Sequence, residues 1–353
     1  MDTIQIANVL VTRRCNLSCS YCNIVRNYPG MPSEYKKMGG FTDDELTGEE
    51  WIEIFDRIVA NNPKAFFVIY GGEPFVYDDL WKIIKHCNDN GIFYTVISNN
   101  TDLVQDRIKE VYEKCGQYRG FTSSVDPVVA TDQPGQVEFS KSEKGKFYIT
   151  EKSNVGMQRL IKMKEDGLVD DAVAEITVMN STVPHLYNTV KTLSENNIYS
   201  SITTLDDPKN EYYDFARVLD MKEMVRKDSG IKEQFDKIKA DKSLLIHMPD
   251  SLDYIYDMLP SCGDCGLEKK IHNLTIDADG TFRLCLRIRG VKSPAVKLDD
   301  VLDKDGVIQD DFKLAITIDK EVHCKGCNWT CACIMSKYDK FTQEIIEHGE
   351  QNR

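Results

Sequence analysis

In the stretch "VTRRCNLSCSYCNIVRN", Cys15, Cys19 and Cys22 follow one another at C-x3-C-x2-C spacing, with Tyr21 beside the last. Thiolates are soft ligands that suit zinc, copper(I) and iron–sulfur clusters. A structural zinc site or a fully protein-ligated iron–sulfur cube takes four ligands, and no further Cys or His lies nearby. Three thiolates can hold three irons of a 4Fe-4S cube and leave the fourth open to a ligand from outside the protein. Zinc would need a fourth ligand from a distant segment, and the C-x2-C-x2-C-x3-C run of ferredoxins is absent. A second group, Cys262, Cys265, Cys285, Cys324, Cys327, Cys331 and Cys333, lies far along the chain, while Cys87 and Cys115 stand apart. The last two read as small buried hydrophobes on helices.

The elements that must position these thiols follow from residue periodicity. Residues 4 to 204 alternate short β-rich runs with amphipathic stretches, the pattern of a parallel sheet with crossover helices. "IQIANVLVT", "AFFVIY", "IFYTVIS", "GFTSSV", "VAEITVM" and "YSSITTL" are the six expected strands. "TGEEWIEIFDRIVANN" places Thr47 and Glu50 in capping-box spacing ahead of Trp51, Phe55, Ile58 and Val59 on one helical face. "DDLWKIIKHCND" is a second helix ended by Gly91, and further helices are expected at about 154 to 166 and 184 to 196. The expected fold class is α/β, a partial (β/α)6 TIM-like barrel over 1–208. A charged helical bridge over 209–258 follows, then a small cysteine-rich module over 259–340 and a tail over 341–353. In the module "LTIDADGTFRLC" reads as a hairpin turning at Asp279 and Gly280. The polar residues after "SSVD" are too many for an ordinary connection and read as a flap near the site.

Each polar motif falls just after an expected strand: the cysteine triplet, "GGEP" (Gly71 to Pro74), "SNN" (Ser98 to Asn100), "SSVD" (Ser123 to Asp126) and "MN" (Met179, Asn180). In parallel α/β barrels all such loops open on one face, so these stretches converge. "CNLSCSYC", with an aromatic before its last Cys and "GGEP" at the second strand end, resembles the radical S-adenosylmethionine superfamily. The resemblance implies that Cys15, Cys19 and Cys22 ligate a 4Fe-4S cluster whose open iron binds S-adenosylmethionine, with Tyr21 against its adenine. It implies that Gly71, Gly72 and Glu73 offer backbone and side-chain acceptors to the ligand's ammonium and that Pro74 fixes the strand exit. Ser124, Asp126 and Asn99 would contact the ribose and methionine parts, although Ser and Asn at strand ends are also ordinary turn-formers. In that superfamily an electron from the cluster cleaves the sulfonium to methionine and a 5′-deoxyadenosyl radical, which takes a hydrogen from substrate. An electron donor of flavodoxin or ferredoxin type is the implied redox partner.

The second cysteine group could supply zinc-ribbon knuckles through Cys262-x2-Cys265 and Cys324-x2-Cys327, which leaves Cys285, Cys331 and Cys333 without a role. It resembles more closely the SPASM or Twitch extension that follows many radical S-adenosylmethionine barrels and carries auxiliary 4Fe-4S clusters. Seven cysteines are one short of two closed cubes. The alternatives are one cluster on Cys265, Cys285, Cys324 and Cys327, or two with one open iron or a non-cysteine ligand. Sulfatase-maturing relatives place an acid after the residue equivalent to Cys285; Leu286 here disfavours that activity.

Composition bounds the partners. The chain of 353 residues carries 44 basic and 57 acidic side chains, a net charge of −13, and no basic run interleaved with aromatics, which excludes nucleic acid as an expected partner. No apolar run approaches the ~20 residues of a membrane helix. Met1 precedes Asp2 rather than a basic and apolar signal segment, so the expected location is the cytoplasm, where thiols stay reduced. The expected activity is radical modification of a peptide by crosslinking, oxidation or epimerisation. The first strand starts almost at Met1, so no leader-binding domain is expected ahead of it, which counts against a peptide. A small sugar- or nucleoside-type substrate is the alternative, and a non-catalytic iron–sulfur or zinc scaffold is a third reading. Glu175 and Asn180, by their strand-end position, and Cys331 and Cys333, as hydrogen-atom donors or ligands, are the substrate-side candidates. His185, His247, His272 and His323 read as structural.

Overall fold

The computed structural model describes residues 4–16, 45–125, 150–204, 224–247, 249, 251–259, 273–283 and 297–312. Strand β1 (Ile6–Thr12) leads to helix α1 (Gly48–Asn61), β2 (Phe66–Gly71), a 3-10 turn (Pro74–Val76), α2 (Leu80–Asn90) and β3 (Phe93–Ser98). Then come α3 (Asp102–Cys115), β4 (Tyr118–Val125), α4 (Thr150–Glu165), β5 (Val169–Val178), a second 3-10 turn (Asn180–His185), α5 (Leu186–Glu195) and β6 (Tyr199–Thr204). Helices α6 (Ile231–Ala240) and α7 (Ser251–Met258), strands β7 (Asn273–Ile276) and β8 (Phe282–Arg283), and the short α8 (Leu298–Val301) complete the described elements.

The local signals act as their chemistry requires. Thr47 caps α1 by accepting from Glu50 N, and the Glu50 carboxylate accepts from Thr47 N at 2.7 Å, which satisfies donors at both ends of the box. Trp51, Phe55 and Ile58 are then buried against the sheet, with Phe55 stacked on Phe67 at 4.0 Å between ring centroids. Gly91 ends α2 in the left-handed region, φ 70°. Cys87 is buried on α2, where burial pushes its thiol well above the ordinary range, and Cys115 is half-buried at the end of α3 and pushed up to about 11, so both stay thiols.

The sheet order is β6-β5-β4-β3-β2-β1-β7-β8, with all pairs parallel up to β7 and β8 antiparallel to it. The six expected strands are present, and a seventh parallel strand joins them. The hairpin expected at "LTIDADGTFRLC" forms, turning through Gly280 at φ 77°. Its first strand lies along β1, pairing Ile6 with Asn273 through Val9 with Ile276. The hairpin therefore extends the barrel sheet, because β1 would otherwise present an unpaired edge. On the other side, Ser200 N donates to Leu245 O and His247 N to Ser200 O, both at 2.9 Å, so the bridge segment runs beside β6. Within that bridge "IKEQFDKIKAD" forms α6, burying Ile231, Phe235 and Ile238 with its charges outward. Met224 and Val225, read as part of a helix, are buried but not helical. No described helix is long and apolar enough to cross a membrane.

Strands β3, β5 and β6 alternate between fully buried and half-buried positions. The fully buried set packs on the helices. The half-buried set, which includes Thr95, Ile97, Val173, Glu175, Thr177, Ser201 and Thr203, forms the other face, a trough lined by mixed polar and apolar side chains.

Candidate metal and cofactor site at the strand ends

Three segments meet where β1, β2 and β3 end. The backbone of β2 runs on past its last residue alongside β1: Gly72 N donates to Thr12 O and Glu73 N to Arg14 O, each at 2.8 Å. This approach leaves no room for side chains. A Cβ on Gly72 would sit 2.2 Å from the Arg14 carbonyl oxygen, and one on Gly71 would sit 2.6 Å from that of Thr12. The two glycines thus bring the "GGEP" backbone against the residue that precedes Cys15.

Glu73 ties this junction to β3. Its fully buried carboxylate accepts from Ser98 Oγ at 2.9 Å and Phe75 N at 3.2 Å through one oxygen, and from Asn99 N at 2.8 Å through the other. It also caps the 3-10 turn in which Pro74 occupies the first position and drives Phe75 into an aromatic group with Tyr118 and Phe121. The side chain expected to meet a ligand is engaged with donors of the chain itself.

Cys15 is half-buried just beyond β1. Asn99, at the end of β3, places its Nδ2 2.8 Å from Asn16 Oδ1 and 3.8 Å from Cys15 Sγ. Asn100, beside it, takes a positive φ of 50°, and its backbone carbonyl accepts from Arg159 of α4 at 2.8 Å. That contact seats α4 on the same strand ends, where Gly156 faces Ser124 O and Asn99 O.

On the trough side, Ser124, Glu175 and Ser201 occupy one row across β4, β5 and β6. Ser124 and Glu175 are both half-buried, and desolvation alone pushes the Glu175 carboxyl above the ordinary carboxylate range. Asn180 is exposed at the start of the second 3-10 turn. A raised carboxyl pKa means that the folded chain binds this proton more tightly than the unfolded one. Glu175 therefore costs stability above its folded pKa, and the cost fades as pH falls to the ordinary range. Glu175→Gln is expected to raise the melting temperature of the ligand-free protein at neutral pH, with a gain that shrinks on acidification. Superimposable melting profiles across that range would contradict the desolvation account.

Two residues that hold the site carry no motif. Glu45 Oε1 accepts from Thr12 Oγ1 at 2.7 Å and Arg13 N at 3.1 Å, and its Oε2 meets Arg14 Nε at 3.2 Å, so the chain returning at 45 is fastened to the end of β1. Arg13, 4% exposed, donates through Nε to Asp277 Oδ1 at 3.0 Å, and its Nη2 lies 2.8 Å from the same oxygen and 3.4 Å from Asp279 Oδ2. Burial works against the guanidinium's charge, but hydrogen bonds and charge from both aspartates more than offset it. Sequence signals existed only in part: a buried Arg needs an acid, and "IDADG" offers two at a turn.

Of the expected site residues, the structure brings together Cys15, Gly71, Gly72, Glu73, Pro74 and Asn99, and it sets Ser124 and Glu175 side by side on the trough. Tyr21, Cys19, Cys22, Asp126, the flap and all seven C-terminal cysteines lie outside the described residues. Among the described residues no group of three His, Cys, Asp or Glu side chains could hold a metal ion.

Comparison with known proteins bears on the family and the fold. Residues 9–126 match the family model of the Radical SAM superfamily. The chain is similar to the PqqA peptide cyclase of Bradyrhizobium diazoefficiens, 29% identical over 101 residues that make up 29% of this chain and 23% of that protein. The match thus spans under a quarter of that relative's length. Streptococcus suis SuiB bound to S-adenosylmethionine superposes with a TM-score of 0.58 at 13% identity, over 88% of this chain and 66% of that one. The native anSMEcpe structure with bound AdoMet gives 0.53 at 13% identity, over 98% and 99%. At such identity the likeness is one of fold.

Proposed function

We propose that this chain is a radical S-adenosylmethionine enzyme that modifies a peptide. The observation that carries the reading is the junction of Cys15, the Gly71–Gly72 backbone and Asn99 at adjoining strand ends, inside the segment that matches the superfamily. A soft thiolate donor at the ends of parallel strands, beside the Gly71–Gly72 backbone, suits a cluster and a small zwitterionic ligand. Cys15, Cys19 and Cys22 would hold the 4Fe-4S cluster. With S-adenosylmethionine bound, that group supplies a 5′-deoxyadenosyl radical able to take hydrogen from an unactivated carbon.

The chain's own residues bind and orient. Backbone acceptors of Gly71, Gly72 and Glu73 would take the ligand ammonium, while the Glu73 carboxylate braces β2 against β3. Tyr21 would lie on the adenine, and Ser124 and Asp126 would meet the ribose and methionine parts. Glu175, desolvated and facing the trough, would accept hydrogen bonds from substrate, with Asn180 at the rim. The C-terminal cysteines would hold one or two auxiliary clusters in a SPASM- or Twitch-like module. A low-potential protein donor would supply the electron.

A peptide is favoured over a sugar or nucleoside because the proteins of similar sequence and fold include a peptide cyclase and SuiB, solved with its precursor peptide SuiA. The test is incubation of the reduced, anaerobically reconstituted protein with S-adenosylmethionine and a short peptide encoded beside its gene. A change in the peptide's hydrogen count, or deuterium uptake from heavy water, is expected. Turnover of a sugar or nucleoside with the peptide untouched selects the other substrate class. Iron and sulfide counts in the Cys15, Cys19 and Cys22 triple alanine variant should leave about four irons for one auxiliary cluster or about eight for two. Zinc in their place ends the cluster assignment.

A further inference from the structure

A hydrogen-bond ring of Asn99, Asn16 and Thr101 lies beside Cys15. Asn99 Oδ1 accepts from Thr101 N at 3.2 Å and from Thr101 Oγ1 at 2.9 Å. A backbone N–H can only donate, so this pairing fixes which end of the amide is oxygen. The amide nitrogen must then face Asn16 Oδ1 and Cys15 Sγ. Asn16 Nδ2 in turn donates to Thr101 Oγ1 at 2.9 Å, which closes the ring. Asn99 is itself held in place: it is 7% exposed, and its backbone N–H is bound by the Glu73 carboxylate.

Protonated Cys15 can donate to Asn16 Oδ1, 3.7 Å away. As a metal-bound thiolate it has no proton and only accepts. With one Asn99 hydrogen engaged by Asn16, the sulfur at 3.8 Å lies within reach of the other. Hydrogen bonds to ligating sulfurs favour the reduced, more negative state of an iron–sulfur cluster and raise its potential.

We propose that the Asn99 side-chain N–H donates to the Cys15 thiolate and so orients that ligand and raises the reduction potential of the cluster it holds. The proposal rests on reading Cys15 as a cluster ligand. Asn99 acts here as a positioning residue, through sulfur, and not on the substrate.

The experiment is a redox titration of the full-length, anaerobically reconstituted protein, following the electron paramagnetic resonance signal that S-adenosylmethionine perturbs. Asn99→Leu keeps the shape and removes the donor. At a fixed ambient potential it is expected to make reduction about tenfold less favourable, which for a one-electron couple is a fall of about 59 mV. Asn99→Asp, which puts a negative oxygen beside the sulfur, should lower the potential further. Thr101→Val removes the hydroxyl bond that orients the amide and should move the potential in the same direction by less. An unchanged potential in Asn99→Leu with full iron content overturns the proposal. If Asn99→Leu cannot retain the cluster, an unchanged potential in Thr101→Val overturns it instead. A wild-type protein with no iron dependent on Cys15, Cys19 and Cys22 removes the underlying reading, a result distinct from an unmoved potential.

Discussion

Gly72→Ala is expected to cost about 2 to 4 kcal/mol of stability and to strip iron from the cluster site proposed at Cys15, whereas Gly156→Ala is neutral or stabilising. The added methyl group of Gly72→Ala has nowhere to go, because its nearest neighbours are the backbone oxygen and carbon of Arg14 at 2.2 and 2.6 Å and the oxygen of Arg13 at 2.8 Å. Backbone cannot swing aside as a flexible side chain can. The ends of β1 and β2 must separate, and the Gly72 N to Thr12 O and Glu73 N to Arg14 O bonds stretch or break. Overpacking of this kind costs roughly 1 to 3 kcal/mol, and each lost hydrogen bond adds about 1. The displaced residue is the neighbour of Cys15, so the damage reaches the thiol directly. Gly156 provides the control: its nearest neighbour would be 3.5 Å away, and alanine is the better helix former by up to about 1 kcal/mol. Thermal melts and iron analysis of the two variants check this. Equal stability would mean that the strand ends do not need the close approach.

Loss of the Asp277 carboxylate is expected to be at least as damaging. Asp277→Ala takes away the nearer acid of the buried Arg13 guanidinium and leaves Asp279, which is 3.4 Å away and the more exposed of the two. Removing one partner of a buried ion pair costs about 3 to 5 kcal/mol, because the surviving charge stays desolvated. The Ala278 N–H, which donates to the same carboxylate at 2.7 Å, loses its acceptor as well. Arg13→Met combined with Asp277→Leu removes both charges and should recover most of the loss, since apolar replacement of a buried pair is often neutral. A double-mutant cycle in denaturant reads the coupling directly. No coupling would mean that the pair does not fasten the hairpin to β1. Asp279 adds a pH dependence. Burial pushes its carboxyl up, but bonds from Thr281 pull it below the ordinary range. Its stabilising contribution is therefore present above the ordinary carboxylate range and is lost as pH falls through the lower folded value.

What the sequence made legible was local. Thr47 and Glu50 announced the start of α1, Gly91 the end of α2, and each β-rich run its strand, because caps and periodicity are written within a few residues. Helix α3 carries the same kind of signal, with Val104, Ile108 and Val111 buried on one face. The site was legible where a motif marked it, as at "CNLSCSYC" and "GGEP". The rest depends on residues far apart in the chain. Arg13 and Asp277 are 264 positions apart, and nothing in "LTIDADGTFRLC" says that its first strand will lie beside β1. Glu73 shows a subtler limit. Its type and place suggested a ligand contact, yet the fold uses its carboxylate to satisfy Ser98, Asn99 and Phe75, a use that appears only once β2 and β3 stand side by side. Glu45 had no signal at all.

The assignment of the thiols beyond β1 to a cluster that works on S-adenosylmethionine is the proposal on which the others depend. Its most direct test is product analysis after the anaerobically reconstituted protein is reduced with S-adenosylmethionine present. Methionine and 5′-deoxyadenosine are expected in equal amounts from the wild-type chain, and neither from the chain with Cys15, Cys19 and Cys22 replaced by alanine. Absence of both products from a wild-type chain holding its iron, or their persistence in the triple variant, would contradict it.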